Sequence, residues 1–315
     1  MKRNVLLVMM VLVMCAMSVH AGTVAYWRFE DGTAGTDVVH YDPSHGVYSA
    51  DIADVSGNGN DLSAWMTGEW AGYAYRSNVA YSTVPQTGAS NNLSVQNTGD
   101  VPGMFTQTGS AISTMTPSAF TIEVSFKLEN GGHRTIIGRD SYGTATVNQE
   151  LAALYLQAVP GNGLAIKFCD VEGYWHEAVS AENIFQSFDF GADNTGSSVP
   201  WYSVAAVSDG STLSLYLFNH DSGAGWQQIA SSDMTLSGSG NTALTAGAGD
   251  GGDWDAGNWT VGRGMYNGGH GDRAWGFLDE VRISDSALAV SEFLVPEPAT
   301  LMLLGLGAMV LRRKK

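Results

Sequence analysis

The chain has 315 residues, 44% of them hydrophobic and 15% charged, with 39 glycines, 9 tryptophans and 12 tyrosines. So much apolar content excludes a disordered chain. The formal net charge is −16 with basic residues gathered at both ends, so the body repels nucleic acid phosphates and anionic lipid and attracts cations.

At the N-terminus Lys2 and Arg3 precede the apolar run "VLLVMMVLVMCAM", and Val19-His20-Ala21 follows it as a small-x-small cleavage site. Residues 1–21 therefore read as a secretory signal peptide, the run being short for a spanning helix. Met14 before Cys15 is too large for a lipoprotein signal. Cleavage after Ala21 leaves Cys169 as a lone cysteine, so no intramolecular disulfide is expected. In "GLAIKFCD" Cys169 shares the face of Lys167, the less buried one, and reads as an incidental thiol.

The first strand candidate is "TVAYWRFE". The stretch Asp31–Thr116 is poorer in strand patterns and rich in Gly, Ser and Asn, which predicts long rim loops. "FTIEVSFKL" then alternates strictly: Phe120, Ile122, Val124, Phe126 and Leu128 on one face, Thr121, Glu123, Ser125 and Lys127 on the other. That is a half-buried strand. "RTIIGR", "LAALYLQA", "LAIKFCD", "WYSVAAVS", "STLSLYLFN", "NWTVGRG" and "GFLDEVRIS" are further strands, separated by turn chemistry such as "PGNG" and "SDGS". Only "SDSALAVSEFL" suggests a helix, a short one capped by Ser284 or Ser286. Many short strands with Gly-rich turns predict one antiparallel β-sandwich over residues 22–295.

Candidate chemistry is sparse. Asp279 and Glu280 are adjacent, and neighbours on a regular strand point to opposite faces, so they are not expected to act as a carboxylate pair. Asp279 alternates with Phe277, Val281 and Ile283, which predicts burial and a bond to backbone amides or to an Arg such as Arg263. Glu172, His176 and Glu177 fit no recognisable motif. Two loops offer oxygen ligands for a hard cation such as calcium: "DVSGNGND", with Asp54 and Asn58, and "DGGDWDAGN", with Asp250, Asp253, Asp255 and Asn258. The same residues are also ordinary turn formers. Trp65, Trp70, Tyr73, Trp254 and Trp259 are candidate sugar-stacking aromatics, with packing beneath long loops as the alternative. Trp27 and Trp201 lie in strand patterns and are expected in the core.

The blocks "VAYWRFEDGTAGT", "DVSGNGNDLSA", "FTIEVSFKL…RTIIGR", "WYSVAAVSDGSTLSLYL" and "TVGRG…WGFLDEVRISDSALAVSEF" resemble, in order, the LamG-like jelly-roll (concanavalin A-like) family, covering roughly residues 23–294. The region Trp65–Met115 departs from it by expansion. The resemblance implies two packed, curved antiparallel sheets that bind carbohydrate or protein, often beside rim calcium. The Glu-x-Asp-x-Glu run of laminarinase-like sandwich glycosidases does not occur.

At the C-terminus, residues 296–315 carry Pro296-Glu297-Pro298, an apolar run from Ala299 to Leu311, then Arg312, Arg313, Lys314 and Lys315. Thirteen helical residues span about 20 Å, short of the roughly 30 Å hydrocarbon core. The pattern resembles the PEP-CTERM sorting signal, which implies an exosortase-type processing protease and transient anchoring. The expectation is an exported bacterial envelope, surface or matrix protein with a non-catalytic binding module for glycan or protein. The alternatives are a polysaccharide-active enzyme of the same fold and a purely structural coat protein.

Overall fold

Alternation of apolar and polar residues sets most of the strands, and strictly antiparallel pairing sets the architecture. A computed structural model describes residues 22–38, 52–64, 72–97, 103–129, 132–141, 152–248, 255–266 and 269–295. In chain order the strands begin with β1 (Thr23–Trp27), β2 (Leu62–Ala64), β3 (Tyr73–Arg76), β4 (Ser94–Asn97), β5 (Met104–Thr106), β6 (Phe120–Leu128) and β7 (Arg134–Arg139). They continue with β8 (Leu154–Val159), β9 (Gly163–Cys169), β10 (Trp175–Val179), β11 (Tyr202–Ser208), β12 (Thr212–Asn219) and β13 (Gln227–Asp233). The last four are β14 (Trp259–Val261), β15 (Gly264–Tyr266), β16 (Gly269–Gly271) and β17 (Gly276–Ser284).

The first sheet runs β13-β12-β11-β6-β17-β4-β3, with β1 on the second half of the β17 edge that β4 occupies at its start. The second sheet runs β10-β9-β8-β7-β14-β5-β2. β15 and β16 form a separate hairpin. Ile122, Val124 and Phe126 from the first sheet meet Ile137, Leu156, Ile166 and Phe168 from the second in one apolar core that includes Trp27. The fold is thus the all-β sandwich that the sequence predicts. Among the described residues no helix is long and apolar enough to cross a membrane.

Several expectations need correction. Residues 31–116 supply four strands, β2 to β5, and not only rim loops. Each is three or four residues long, too short to show a period, and each is held by partners distant in sequence. The expected C-terminal helix is a single 3₁₀ turn, Val290–Glu292, with Ala289 and not a serine before it. Cys169 is fully buried, not on a less buried face.

The larger departure concerns the outer face of the first sheet. Glu123, Ser125 and Lys127 point away from the core, yet each is at least nine-tenths buried. A second layer covers them. Leu288, Val290, Phe293 and Val295 pack with Trp226, Tyr216 and Phe218, while Trp201, Phe188 and Phe277 form a neighbouring cluster. Trp201 is therefore buried, but in this outer layer and not between the sheets. Leu294 N donates to Glu123 Oε1 at 2.6 Å, and Arg282 Nε donates to Glu123 Oε2 at 2.6 Å. Buried ionic groups survive because each charge is bonded or paired.

β17 carries a bulge inside this layer. Its register against β6 slips between Asp279 and Arg282, and Glu280 adopts φ +49°. One extra residue on one strand puts two consecutive side chains on the same side. Leu278 and Val281 reach the core, while Asp279 and Glu280 both face the outer layer. Asp279 accepts from Asn91 Nδ2 at 2.8 Å and from Ala80 N at 3.2 Å. Arg263, its expected partner, instead forms a doubly bonded pair with Asp140 at 2.7 and 2.8 Å. Glu280 pairs with Arg28 at 2.9 Å and accepts from the Tyr26 hydroxyl.

Candidate functional site

The outer face of the second sheet is left partly open, and its outward residues are chemically distinct from its core-facing ones. Along β8 the outward pair is Tyr155 and Gln157; on β9 it includes Lys167; on β10 it is Trp175 and Glu177. Register places Tyr155 beside Lys167 and Lys167 beside Glu177, so these three form a row across three strands. The β15–β16 hairpin closes one side with Met265 and Tyr266. His133 and Asp272 complete a groove of about 330 Å³.

Two aromatic rings line it and a third guards its mouth. Tyr155 and Trp175 stack with centroids 6.4 Å apart and planes 29° apart. The Tyr155 hydroxyl donates to Met265 O at 2.7 Å and accepts from Ala152 N at 2.9 Å, which fixes the ring and ties the hairpin to the sheet. Tyr266 is 66% exposed, the second most exposed large apolar side chain among the described residues. Its neighbours explain how it is presented: a side chain on Gly264 would strike Thr135, and one on Gly271 would strike Tyr266 itself. The hairpin can lie close to the sheet only with glycine there.

The polar groups are left with bonding capacity. Trp175 Nε1 is buried and has no partner among the described residues. Gln157 Oε1 accepts from the Thr135 hydroxyl at 3.3 Å, and its amide nitrogen is uncommitted. Lys167 and Glu177 pair at 2.7 Å while both remain substantially exposed, so the groove carries charge without a large net sign. Burial pushes the Asp272 carboxyl above the ordinary range, opposed by the positive fields of His133 and Arg134. Stacked rings, an amide, an indole N–H and a paired carboxylate make up the recognition chemistry of a polyhydroxylated ring: apolar faces with equatorial donors and acceptors.

Those residues singled out in the sequence that the structure describes fall elsewhere. Tyr73 and Trp259 are 1% exposed and lie between the sheets, so neither offers a ring face to a ligand. Their short strands, β3 and β14, carry too few residues to reveal an inward face. Trp65, Trp70 and Trp254 lie outside the described residues, as do Asp250 and Asp253. Asp54 spends both oxygens on its own turn, accepting from Tyr26 N and Ser56 N at 2.9 Å, Ser56 Oγ at 2.8 Å and Asn60 N at 3.0 Å. Asn58 donates to Thr23 O at 3.0 Å. Asp255 accepts from the Thr108 hydroxyl, and Asn258 is buried with Oδ1 unpartnered. Calcium takes six to eight oxygens, and no group of three His, Cys, Asp or Glu side chains converges among the described residues.

The bulge does bring Asp279 and Glu280 onto one face, contrary to expectation, with Glu123 in the same layer. These carboxylates are 0%, 1% and 3% exposed, beneath Leu294 and Val295. No sugar can reach them, so their proximity serves the fold.

The groove residues Tyr155, Gln157, Lys167, Trp175, Glu177 and Tyr266 were not among the sequence candidates. The available signal was the outward row of three consecutive strands, which holds two aromatics, an amide and an ion pair where a bare solvent face would hold small polar residues.

Fold and groove together define an antiparallel β-sandwich with an aromatic-lined groove on one outer face. Residues 294–315 match the PEP-CTERM protein-sorting motif, which marks exported proteins anchored to the cell envelope through the C-terminus, and this protein is placed there. The match spans Pro296, Glu297, Pro298, Arg312 and Arg313, all outside the described residues. No curated protein matches the chain in sequence. Similar solved structures include the receptor-binding domain of botulinum neurotoxin type G, with 9% identity over 86% of this chain and 50% of that one and a TM-score of 0.47. The CBM40 of Ruminococcus gnavus IT-sialidase bound to alpha2,6 sialyllactose is similar at 15% identity over 59% and 86%, TM-score 0.42. Domains LG4-5 of the mouse laminin alpha1 chain are similar at 10% identity over 56% and 40%, TM-score 0.33. The chain spans half the length of the neurotoxin domain that it matches.

Proposed function

We propose that this is a non-catalytic glycan-binding protein of the cell envelope, and that the groove over β8, β9 and β10 holds one or two sugar rings of a neutral polysaccharide. The observation that carries the reading is the exposed Tyr266 standing at one groove with the stacked Tyr155 and Trp175 rings. Tyr266 stacks on a pyranose face, Gln157 and Glu177 bond its hydroxyl groups, and the Trp175 ring lines the groove beside them. Sorting by an exosortase-type protease then presents the module to extracellular glycan. The enzymatic alternative loses its best carboxylates to the sealed outer layer, and in the groove Glu177 is already paired with Lys167.

A glycan array probed with the full-length protein tests this. The expected result is retention on neutral oligosaccharides that is lost with Tyr266→Ala. Retention unaffected by that change, or hydrolysis of a bound polysaccharide, would overturn the proposal.

A further inference from the structure

Outside the two terminal clusters the chain has nine basic residues. Five of them hold a carboxylate, Arg28, Arg134, Lys167, Arg263 and Arg282, and a sixth, Arg273, has partners of its own. Arg139 is fully buried on backbone carbonyls, with Nη2 bonded to Ser113 O and Met115 O at 2.9 and 2.8 Å. Arg76 and Lys127 have no carboxylate partner among the described residues, and both line one cleft of about 570 Å³ on the first-sheet side of the sandwich. Among the described residues no Asp or Glu lines that cleft. In a chain this acidic, two unpaired cations in one cavity call for a counter-charge from outside.

The cleft is built to hold them in place. Arg76 Nε donates to Gln96 Oε1 at 2.7 Å and Nη1 to Tyr75 O at 3.3 Å, which fixes the guanidinium plane and leaves Nη2 without a partner among the described residues. Lys127 is 6% exposed, donates one N–H to Gly196 O at 2.8 Å and lies over the Trp201 ring. Burial lowers its pKa, and the fields of Asp221 and Asp193 oppose that shift. Asp193 is committed to its own loop, accepting from Thr195 Oγ1 at 2.7 Å and Ser198 N at 2.8 Å. That loop is tied to the sheet by Asn78 Nδ2, which donates to Thr195 O at 2.9 Å, and by Gln96 Nε2, which donates to Asn194 O at 2.5 Å, so the Asn194 and Thr195 side chains line the cleft beside Phe277.

We infer that this cleft binds the carboxylate of an acidic sugar, with Arg76 and Lys127 on the anion and Asn194 and Thr195 at the hydroxyl groups of the same ring. The planar guanidinium matches a carboxylate, and the ammonium adds a point charge. The volume is that of a small-molecule pocket and far exceeds a simple inorganic anion. The site lies on the opposite sheet from the groove proposed above, so an acidic and a neutral segment of polysaccharide could be held by one molecule.

Titration calorimetry of the full-length protein with tri-galacturonate, its methyl ester and a sulfated galactan trimer tests this. Tri-galacturonate binds, and the ester binds at least about tenfold more weakly, the loss expected for a hydrogen-bonded charge contact. Arg76→Gln lowers tri-galacturonate affinity to the level of the ester, and Arg76→Lys restores only part of it. Thermal melting of both variants confirms folding. Equal binding of acid and ester, full restoration by Arg76→Lys, or equal binding of the sulfated trimer would each overturn the carboxylate assignment. Tyr266→Ala leaves tri-galacturonate binding unchanged, which separates this site from the neutral-glycan groove.

Discussion

Replacing Asp279 by Asn isolates the electrostatics of the outer layer. Asp279 is fully buried, and burial pushes its carboxyl well above the ordinary range, with the neighbouring Glu280 pushing it further and Asn91 and Ala80 opposing. Its folded pKa therefore exceeds its unfolded value near 3.9. Below that value the site's stabilising contribution is fully present; as pH rises toward the folded pKa it is lost. Folding must take up one proton over that interval, so the slope is about 1.4 kcal/mol per pH unit. The amide introduced by Asp279→Asn keeps one oxygen to accept from Asn91 Nδ2 and Ala80 N and has no proton to gain or lose. The stability of the variant relative to wild type should therefore climb by about 1.4 kcal/mol per unit above about pH 4 while the wild-type carboxyl stays protonated. That corresponds to about 3–6 °C per unit for a domain of this size. Arg28, Arg282, Glu123, Tyr26 and Tyr81 are common to both proteins, so their titrations largely cancel in the difference. Thermal melts of both full-length proteins at pH 4, 5, 6 and 7 measure it. A difference that stays constant across that range would show that Asp279 titrates alike folded and unfolded, and would refute the reasoning.

Tyr266→Ala should leave the melting temperature within about 1 °C, because the ring is 66% exposed. A tyrosine offers about 200 Å², so a sugar covering one side of the exposed part buries about 65 Å². At about 25 cal/mol per Å² that is about 1.6 kcal/mol, or about 15-fold in affinity by calorimetry. Arg139→Met should destabilise by at least about 3 kcal/mol in denaturant titrations, since it strands the carbonyls of Ser113, Met115, Thr245 and Gly257. Gly276→Ala should destabilise by a similar amount, because a Cβ there, at φ +138°, would lie 2.0 Å from Lys127 O. Chelation of divalent cations should leave groove binding unchanged, since none of the groove residues is part of a metal-ligand cluster; a chelator that abolished binding would place a cation in the site.

The sandwich was legible because its long strands alternate cleanly: β6, β11 and β12 each show an inward apolar row. β2 to β5 were not, since three or four residues cannot display a period and their partners lie far along the chain. The outer layer was hidden for a different reason. Glu123 and Lys127 look like solvent-facing residues until Leu294 and Gly196 are placed over them, and nothing local announces that cover. The bulge at Glu280 requires a non-glycine residue at positive φ, against the usual preference, so alternation assigned Asp279 and Glu280 to opposite faces. The groove was half legible: its outward residues follow from alternation in "LYLQAV" and "WHEAV", but their convergence depends on the registers of β8, β9 and β10. Tyr73 and Trp259 misled because a Trp or Tyr near Gly and Asp residues looks like a loop aromatic, whereas each sits on a short core strand.

The most direct test of the account is the indole N–H spectrum of the protein during titration with a neutral oligosaccharide selected from the array. Trp175 is in the groove, while Trp27, Trp201, Trp226 and Trp259 are buried with their indole N–H groups already bonded. The resonance lost in Trp175→Phe should shift on binding while those four stay fixed. Binding that leaves it unmoved would place the glycan elsewhere and contradict the groove as the site.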